Sequence, residues 1–464
     1  MKLLRLLISI VLLAVGLAAC FPSQEVLQRD VDEATTQQVP ESPEQWVQAA
    51  DSNTVQAGWI ESFNDPVLVE LVIEAQANNR DLAAAVANVD RAWALARQAG
   101  AALRPNVDVT AGAVRTGSLE SSRLASTNLS LGAQASWELD VWGRLRSGQR
   151  AAVASAEAVA ADFRSAQDSL AAATAKAYFT SIEANIQGDI SRKNVSILEE
   201  TLRIVTVRYN NGLLSAQDTA LARSDLATAR ERLTTVEGSY RDSVRALEAL
   251  LGRYPGAVLK LRETLPAVPP SPPVGLPSEL LERRPDLVAA ERRVAAAFNA
   301  TNQAKAARLP SISLTASTSA ASDSLSNLLS TSNNAWALGT NLLAPIFDGG
   351  TLREGVVIAT AEQDQALAAY GQAAISAFRE METNLDQGFI VQQRIQDLRE
   401  AVTEAEEAFR IVRLRYEEGE EDLLNVLVIQ QRSINSKSSL SIAERLLLEQ
   451  RINLNLAFGG SWEN

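Results

Sequence analysis

The sequence predicts a mainly α-helical protein made of two similar halves, each with a pair of short strands of the kind that complete a membrane β-barrel. Three observations predict it. Two proline-free stretches are long enough for helices of unusual length, the chain matches itself at a near-constant offset, and short segments alternate apolar with small polar residues.

The proline gaps come first. The 464-residue chain has no Pro between Pro105 and Pro255 and none after Pro345. A Pro inside a helix costs about 3 kcal/mol, so long helices are confined to such gaps. Arg144 to about Tyr209, and Thr351 to Tyr416, are dominated by Ala, Leu, Ile, Arg, Gln and Glu. At 1.5 Å per residue each makes a rod of about 100 Å. Helices of that length are foreign to ordinary globular domains. They make sense packed side by side as a coiled-coil-like wall. Ile182, Ile186, Ile190, Val195, Leu198, Leu202 and Val205 step mostly by three to five residues, which gives one buried stripe. Gly212 and Gly419 stand where a helix C-terminus wants a left-handed residue. The next helices run from about Ala216 to Leu251 and from Leu423 to Phe458, so each half contains a long helical hairpin.

The duplication ties the halves together. Asp81-Leu82 is matched by Asp286-Leu287, 205 positions on, and Arg104-Pro105 by Leu309-Pro310. After a small length change the offset is 207. Arg208-Tyr209-Asn210-Asn211-Gly212 then matches Arg415-Tyr416-Glu417-Glu418-Gly419, and Leu251-Gly252 matches Phe458-Gly459. Between the halves, Pro266, Pro269, Pro270, Pro272, Pro273 and Pro277 predict a stiff, extended connector. The expected organisation is a signal peptide over 1–19, a lipid-anchored N-terminal segment over 20–65 and a first repeat over 66–255. That repeat holds strands at about 105–117 and 127–141 and a helical hairpin at about 144–251. The connector covers 256–277. The second repeat, 278–464, holds strands at about 310–320 and 335–347 and a hairpin at about 350–458.

The strand segments show a period of two. Val107, Val109, Ala111 and Ala113 alternate with Asp108, Thr110 and Gly112, and Leu129 to Leu139 alternates likewise. Ile312, Leu314 and Ala316, then Trp336, Leu338, Thr340 and Leu342, repeat the pattern. Such alternation fits a barrel strand with lipid outside and water inside, and it fits a small sheet over a soluble core equally well. Four strands cannot close a barrel, since about eight is the smallest number that does. Two chains would supply eight strands, three twelve and four sixteen, and counting does not choose among them.

Composition excludes other classes. The chain has no His, which removes His-based acid–base chemistry and the commonest metal ligand. No carboxylate or Lys constellation gathers into a catalytic or metal site, and no phosphate-binding Gly-Lys loop appears, so neither an enzyme nor a cofactor is expected. A net charge of −13 argues against nucleic acid, which needs clustered Lys and Arg. The single Cys, Cys20, closes an export-signal pattern: Lys2 and Arg5, an apolar run from Leu6 to Leu17, then Ala18-Ala19-Cys20. The run is shorter than the roughly 20 residues of a spanning helix. Leu17-Ala18-Ala19-Cys20 matches the bacterial lipobox, in which the Cys carries acyl chains that together anchor stably. Phe21 rather than Asp follows, which by resemblance to enterobacterial sorting favours the outer membrane. No later segment offers 18 uninterrupted apolar residues, so any crossing needs a closed β-barrel.

The lipobox Cys, the duplicated halves, the strand pairs and the Tyr-x-x-Gly turns resemble the TolC-like outer-membrane factors, most closely their lipoprotein branch. Trp137-Glu138-Leu139-Asp140-Val141-Trp142-Gly143 and Pro345-Ile346-Phe347-Asp348-Gly349-Gly350 are similar to that family's two strand-to-helix junctions. The resemblance implies a homotrimer with a twelve-stranded barrel in the outer-membrane lipid and a periplasmic α-helical barrel. It implies a periplasmic adaptor and an inner-membrane pump as partners, with efflux of drugs or other small molecules. A protein-secretion duct and a non-channel envelope lipoprotein are the alternatives. By position Leu424 matches a hydrophobic gate residue, and Asn425 and Val428 fall where related channels carry Asp. Asp218 takes the place in the first half that matches Asn425. The resemblance places Tyr209, Gly212, Tyr416 and Gly419 at the helix turns. Glu417, Glu418, Glu420, Glu421 and Asp422 would form an acidic rim for cationic solutes or basic adaptor residues, or only a solvated turn. Arg208 and Arg415 would either pair with carboxylates on neighbouring helices or favour the negative end of a helix.

Overall fold

The computed structural model describes residues 24–40, 45–47, 58–117 and 126–462. The signal-peptide and Cys20 expectations fall outside them. The chain divides into two compact units, each drawing on both repeats.

The first unit contains a segment ending at Pro40 together with Ala87–Ala161 and Val288–Ala373. Its sheet has four antiparallel strands in chain order: β1 Asn106–Thr116, β2 Ser126–Leu139, β3 Ser311–Ser322 and β4 Asn334–Leu343. The β2–β3 pairing joins the two repeats. The register sets Val107, Ala135, Ala316 and Leu338 in one row, and Val109, Ala133, Thr318 and Trp336 in the next. The opposite face carries Asp108, Gln134, Ser317 and Ala337, then Thr110, Gly132, Ser319 and Ala335. Period-two residues thus align across all four strands into one apolar and one mostly small, polar face. Val109, Trp336 and Leu338 are each more than 70% exposed in the protomer. Strand β4 ends at Leu343, short of the expected 347, because Pro345 brings no N–H to a ladder.

Each strand pair passes into a long helix through an Asp. Asp140 accepts from the N–H groups of Leu145 and Arg146, both at 2.9 Å, and Asp348 from Gly350 and Leu352 at 2.9 and 2.7 Å. Capping the orphan N–H groups fixes where the helices start. The Trp142 indole donates to the Pro310 carbonyl at 2.6 Å, tying one junction to the base of the other strand pair. Nearby, Val31 of helix α1 (Gln24–Gln38) packs with Ala154, Val294, Ala295 and Tyr370.

The second unit holds Glu41–Val86, Asp162–Leu287 and Ala374–Asn464. Its main core gathers Phe63, Leu68 and Leu71 against Tyr178, Phe179 and Ile182, with Leu247, Leu251, Leu448 and Ile452. Asp65 caps helix α2 (Pro66–Asn78) and also accepts from the Tyr178 hydroxyl and the Arg262 guanidinium, each at 2.9 Å. The stretch 256–277, expected as a stiff, extended connector, runs without helix or strand up to Leu276 and is laid on this core. Leu259, Leu261, Leu265 and Val268 pack against it. The buried Arg451 donates to the Pro269 carbonyl and the Ser271 hydroxyl, both at 3.3 Å. The apolar residues interleaved with the prolines account for this packing.

Helix α3 is Arg80–Ala101. The long helices are α4, Arg144–Asn210, and α8, Thr351–Glu418, of 67 and 68 residues. Their hairpin partners are α5, Ala216–Leu250, and α9, Leu423–Ala457. The second repeat opens with α6, Leu280–Arg283, and α7, Pro285–Ala306. Among the described residues no helix is long and apolar enough to cross a membrane, and no group of His, Cys, Asp or Glu is arranged to hold a metal.

Candidate functional site

The turns at the ends of α4 and α8 are built by one backbone device. Gly212 takes φ +73° and Gly419 φ +87°. In the first turn the Gly212 N–H donates to the Tyr209 carbonyl and Leu213 N–H to Arg208, both at 2.9 Å. In the second, Gly419 donates to Tyr416 at 3.1 Å and Glu420 to Arg415 at 2.9 Å. This pair of bonds is the Schellman closure, and it satisfies carbonyls the helix end leaves free. A Cβ on either glycine meets open space, so these positions need glycine for φ rather than for room.

Helix α9 then turns one face inward. Leu423, Val426 and Leu427 are buried with Leu198, Val205, Ala222, Leu226, Val412 and Tyr416. The opposite face presents Leu424 and Val428, 56% and 50% exposed, with Asn425 beside them. Three of the four residues matched to an aperture therefore share one open stripe, as positions i, i+1 and i+4 of a helix must. The fourth, Asp218, is engaged locally. Its carboxylate accepts from the Ser215 backbone N–H at 2.9 Å and hydroxyl at 2.7 Å, and the Ser215 oxygen accepts from the Asp218 N–H at 3.3 Å. This capping box starts α5. The hydrogen bonds from Ser215 hold the Asp218 carboxyl below its ordinary range.

The expected acidic rim is partly neutralised by its own chain. Glu417 pairs with Arg413 at 3.0 Å, and Arg415 lies 3.9 Å from Glu420 and 3.8 Å from Glu421. Asp422 caps α9 by accepting from the Leu424 N–H at 2.6 Å. The Asn425 amide and the Asp422 N–H hold the Glu421 carboxyl below its usual range. Among the described residues Arg415 thus lies near carboxylates of its own turn. Arg208 donates to the Glu417 carbonyl at 2.8 Å, at the negative end of α8, and its guanidinium stacks 4.7 Å from the centre of the Tyr416 ring. Of the two roles expected for Arg208, the protomer contains the helix-end contact.

Burial separates the two turn tyrosines, which sequence reasoning treated alike. Tyr416 is 4% exposed and Tyr209 43%. Burial pushes the Tyr416 phenol up. Also unforeseen is the docking of each repeat's opening helices on a second pair of Schellman glycines. A Cβ on Gly252 would stand 2.7 Å from the Asn78 carbonyl oxygen, and one on Gly459 3.0 Å from that of Arg283. The matched pairs Leu251-Gly252 and Phe458-Gly459 carried that signal.

The outer membrane efflux protein family matches residues 71–253 and 276–460, one segment per repeat. The pyoverdine export outer membrane protein OpmQ of Pseudomonas aeruginosa is 32% identical over 439 residues, covering 91% of this chain and 92% of that protein. The toluene efflux pump outer membrane protein TtgF of Pseudomonas putida is 33% identical over 416 residues, covering 88% and 86%. The outer membrane protein VceC of Vibrio cholerae superposes with a TM-score of 0.81 at 26% identity, over 88% of this chain and 100% of that one. These are channel-forming proteins of the outer membrane, with an α-barrel and a β-barrel, and not a family of enzymes. The chain belongs to the outer membrane efflux protein family, as the outer-membrane channel of an efflux pump.

Proposed function

We propose that three copies of this chain close one twelve-stranded barrel and pass small organic molecules outward from a periplasmic adaptor and an inner-membrane pump. The observation that carries the reading is the register of the sheet. Apolar residues line up across all four strands, and β1 and β4 stand as its edges. Edges and an exposed apolar face together call for strands from further copies and for lipid. Leu424, Asn425, Val428 and Asp218 surround the periplasmic aperture, and the turns around Gly212 and Gly419 meet the adaptor. The channel is passive, and the pump supplies the energy. Cys20, acylated after removal of residues 1–19, holds the chain to the outer membrane. The domain division is that of two repeats, 66–255 and 278–464.

Detergent-purified protein tests this directly. A mass of three protomers and a stepwise conductance in a planar bilayer are expected. A water-soluble monomer without conductance overturns the reading. Palmitate labelling that persists in C20S overturns the anchor alone.

A further inference from the structure

A cavity of about 330 Å³ opens beside Leu424 and Val428, between α4, α5 and α9. Leu198, Leu221, Leu424, Leu427, Val428 and Ile434 make most of its wall. Asn194, Asp225, Thr228, Arg232, Gln430 and Gln431 interrupt it with polar groups, three of which bear on a ligand. Gln430 is 3% exposed. Its amide N–H donates to Asn194 at 2.7 Å, while its Oε1 has no hydrogen-bond partner among the described residues. Asp225 is half-buried and has no ion pair or hydrogen bond among the described residues, and burial raises its carboxyl above the ordinary range. Arg232 lines the cavity two turns further along α5, about 10 Å from Asp225 by helical rise. An unpaired carboxylate at the edge of an apolar hollow lacks a counter-charge, and a buried amide oxygen lacks a donor.

We infer that this cavity binds amphiphilic organic cations, with the charged head at Asp225 and the apolar body over Leu221, Leu424 and Val428. Arg232 repels the head from the far end, which fixes the orientation. The inference rests on the reading above, in which Leu424 and Val428 border the aperture, and it makes the cavity a holding site beside it. The carboxylate selects charge and the leucine wall selects a body of the right size, as in other small-molecule sites.

The test uses the full-length purified protein and tetraphenylphosphonium, a permanent lipophilic cation, with neutral triphenylphosphine oxide as its control. Equilibrium dialysis in detergent reads the cavity without requiring conduction, and a planar bilayer reads the channel separately. Saturable binding of the cation is expected. D225N should weaken it about fivefold, the upper range for an ion pair still open to solvent, and the neutral compound should bind no better to wild type than to D225N. D225N preserves side-chain volume, and L221W, which fills the cavity, should abolish binding with Asp225 still in place. Equal binding by wild type and D225N, equal binding of cation and neutral compound, or no saturable binding overturns the inference. Loss of adaptor cross-linking in D225N with cation binding intact assigns the groove to a protein partner and also overturns it. Absence of conductance with charge-selective binding intact overturns the channel reading and leaves the cavity's ligand class standing.

Discussion

The two helix turns descend from one duplicated motif, yet they agree only in backbone. Both close on a glycine with positive φ and the same pair of hydrogen bonds. Their side chains have diverged. The first turn spends its one acid, Asp218, on a capping box. The second carries five acids, of which Glu417, Glu420 and Glu421 lie near Arg413 or Arg415 and Asp422 caps α9. Arg208 of the first turn reaches the second, where Tyr416 is buried beneath it, while Tyr209 stays at the surface. Backbone devices are dictated by how a helix ends, which is the same problem in both halves. Charge and burial depend on neighbours, and these differ.

The largest expected contrast follows from burial. Tyr416→Ala removes a ring packed among Val205, Val412 and Leu423 and should cost about 3 kcal/mol. Tyr209→Ala should cost well under 1 kcal/mol. Loss of helical circular dichroism on heating would rank them. Equal losses would show that the turns are equivalent after all.

The glycines probe the part that the halves share. Gly252→Ala and Gly459→Ala combine a left-handed φ with a Cβ set against a backbone oxygen at 2.7 and 3.0 Å. Each should cost about 2–3 kcal/mol, against about 1 kcal/mol for Gly212→Ala or Gly419→Ala, where φ alone is at issue. The same melting measurement should give two matched pairs. A large difference within a pair would mean that the backbone has diverged as well.

This contrast also separates what could be read from residues and what needed coordinates. Helix extents followed from Pro105, Pro255 and Pro345, because a missing N–H acts locally. The turn glycines were legible because φ is a property of one residue. The strands were visible through their period, although the alternation left open what covers the apolar face; the row from Val107 to Leu338 exists only once register is known. At the candidate aperture, the exposed stripe of Leu424, Asn425 and Val428 follows from helical spacing. The Arg208–Tyr416 stack and the Asp225–Gln430 cavity join positions about 200 residues apart, and no local pattern encodes such pairs. For the connector, proline composition speaks of stiffness and extension, whereas Leu259, Leu261 and Leu265 decide where the segment lies.

A smaller effect tests the asymmetry of the two arginines. Arg208→Ala loses a cation–π contact and a charge at a helix end, together about 1–2 kcal/mol. Arg415 is half exposed and 3.8–3.9 Å from its partners, so Arg415→Ala should cost less than about 0.5 kcal/mol. Arg208→Lys should keep only part of what Arg208→Ala loses, since an ammonium does not stack as a guanidinium does. Identical melting of R208A and R415A would remove the one-way tie between the halves.

Acidification should produce the smallest effect and the finest distinction. Hydrogen bonds from Ser215 hold the Asp218 carboxyl below its ordinary range, so its stabilisation is fully present above the unfolded value of about 4 and is lost as pH falls through the depressed folded value. The second turn has a matching acid-sensitive share in Glu421, held down by the Asn425 amide and the Asp422 N–H. Wild-type melting should therefore decline below about pH 4, with these two small contributions added to those of Glu200, Glu248, Asp286, Asp348 and Glu407, whose carboxyls are likewise held down. D218N should remove the first contribution and leave the second, and N425A should leave the first and reduce the second to what the Asp422 N–H supplies, so the double variant should have the flattest acid limb of the four proteins. Melting profiles between about pH 3 and pH 7 would show it. If N425A adds nothing to the change D218N makes, the two turns are coupled. If neither variant changes the slope, both turns are held by backbone geometry and their charges serve solvent only.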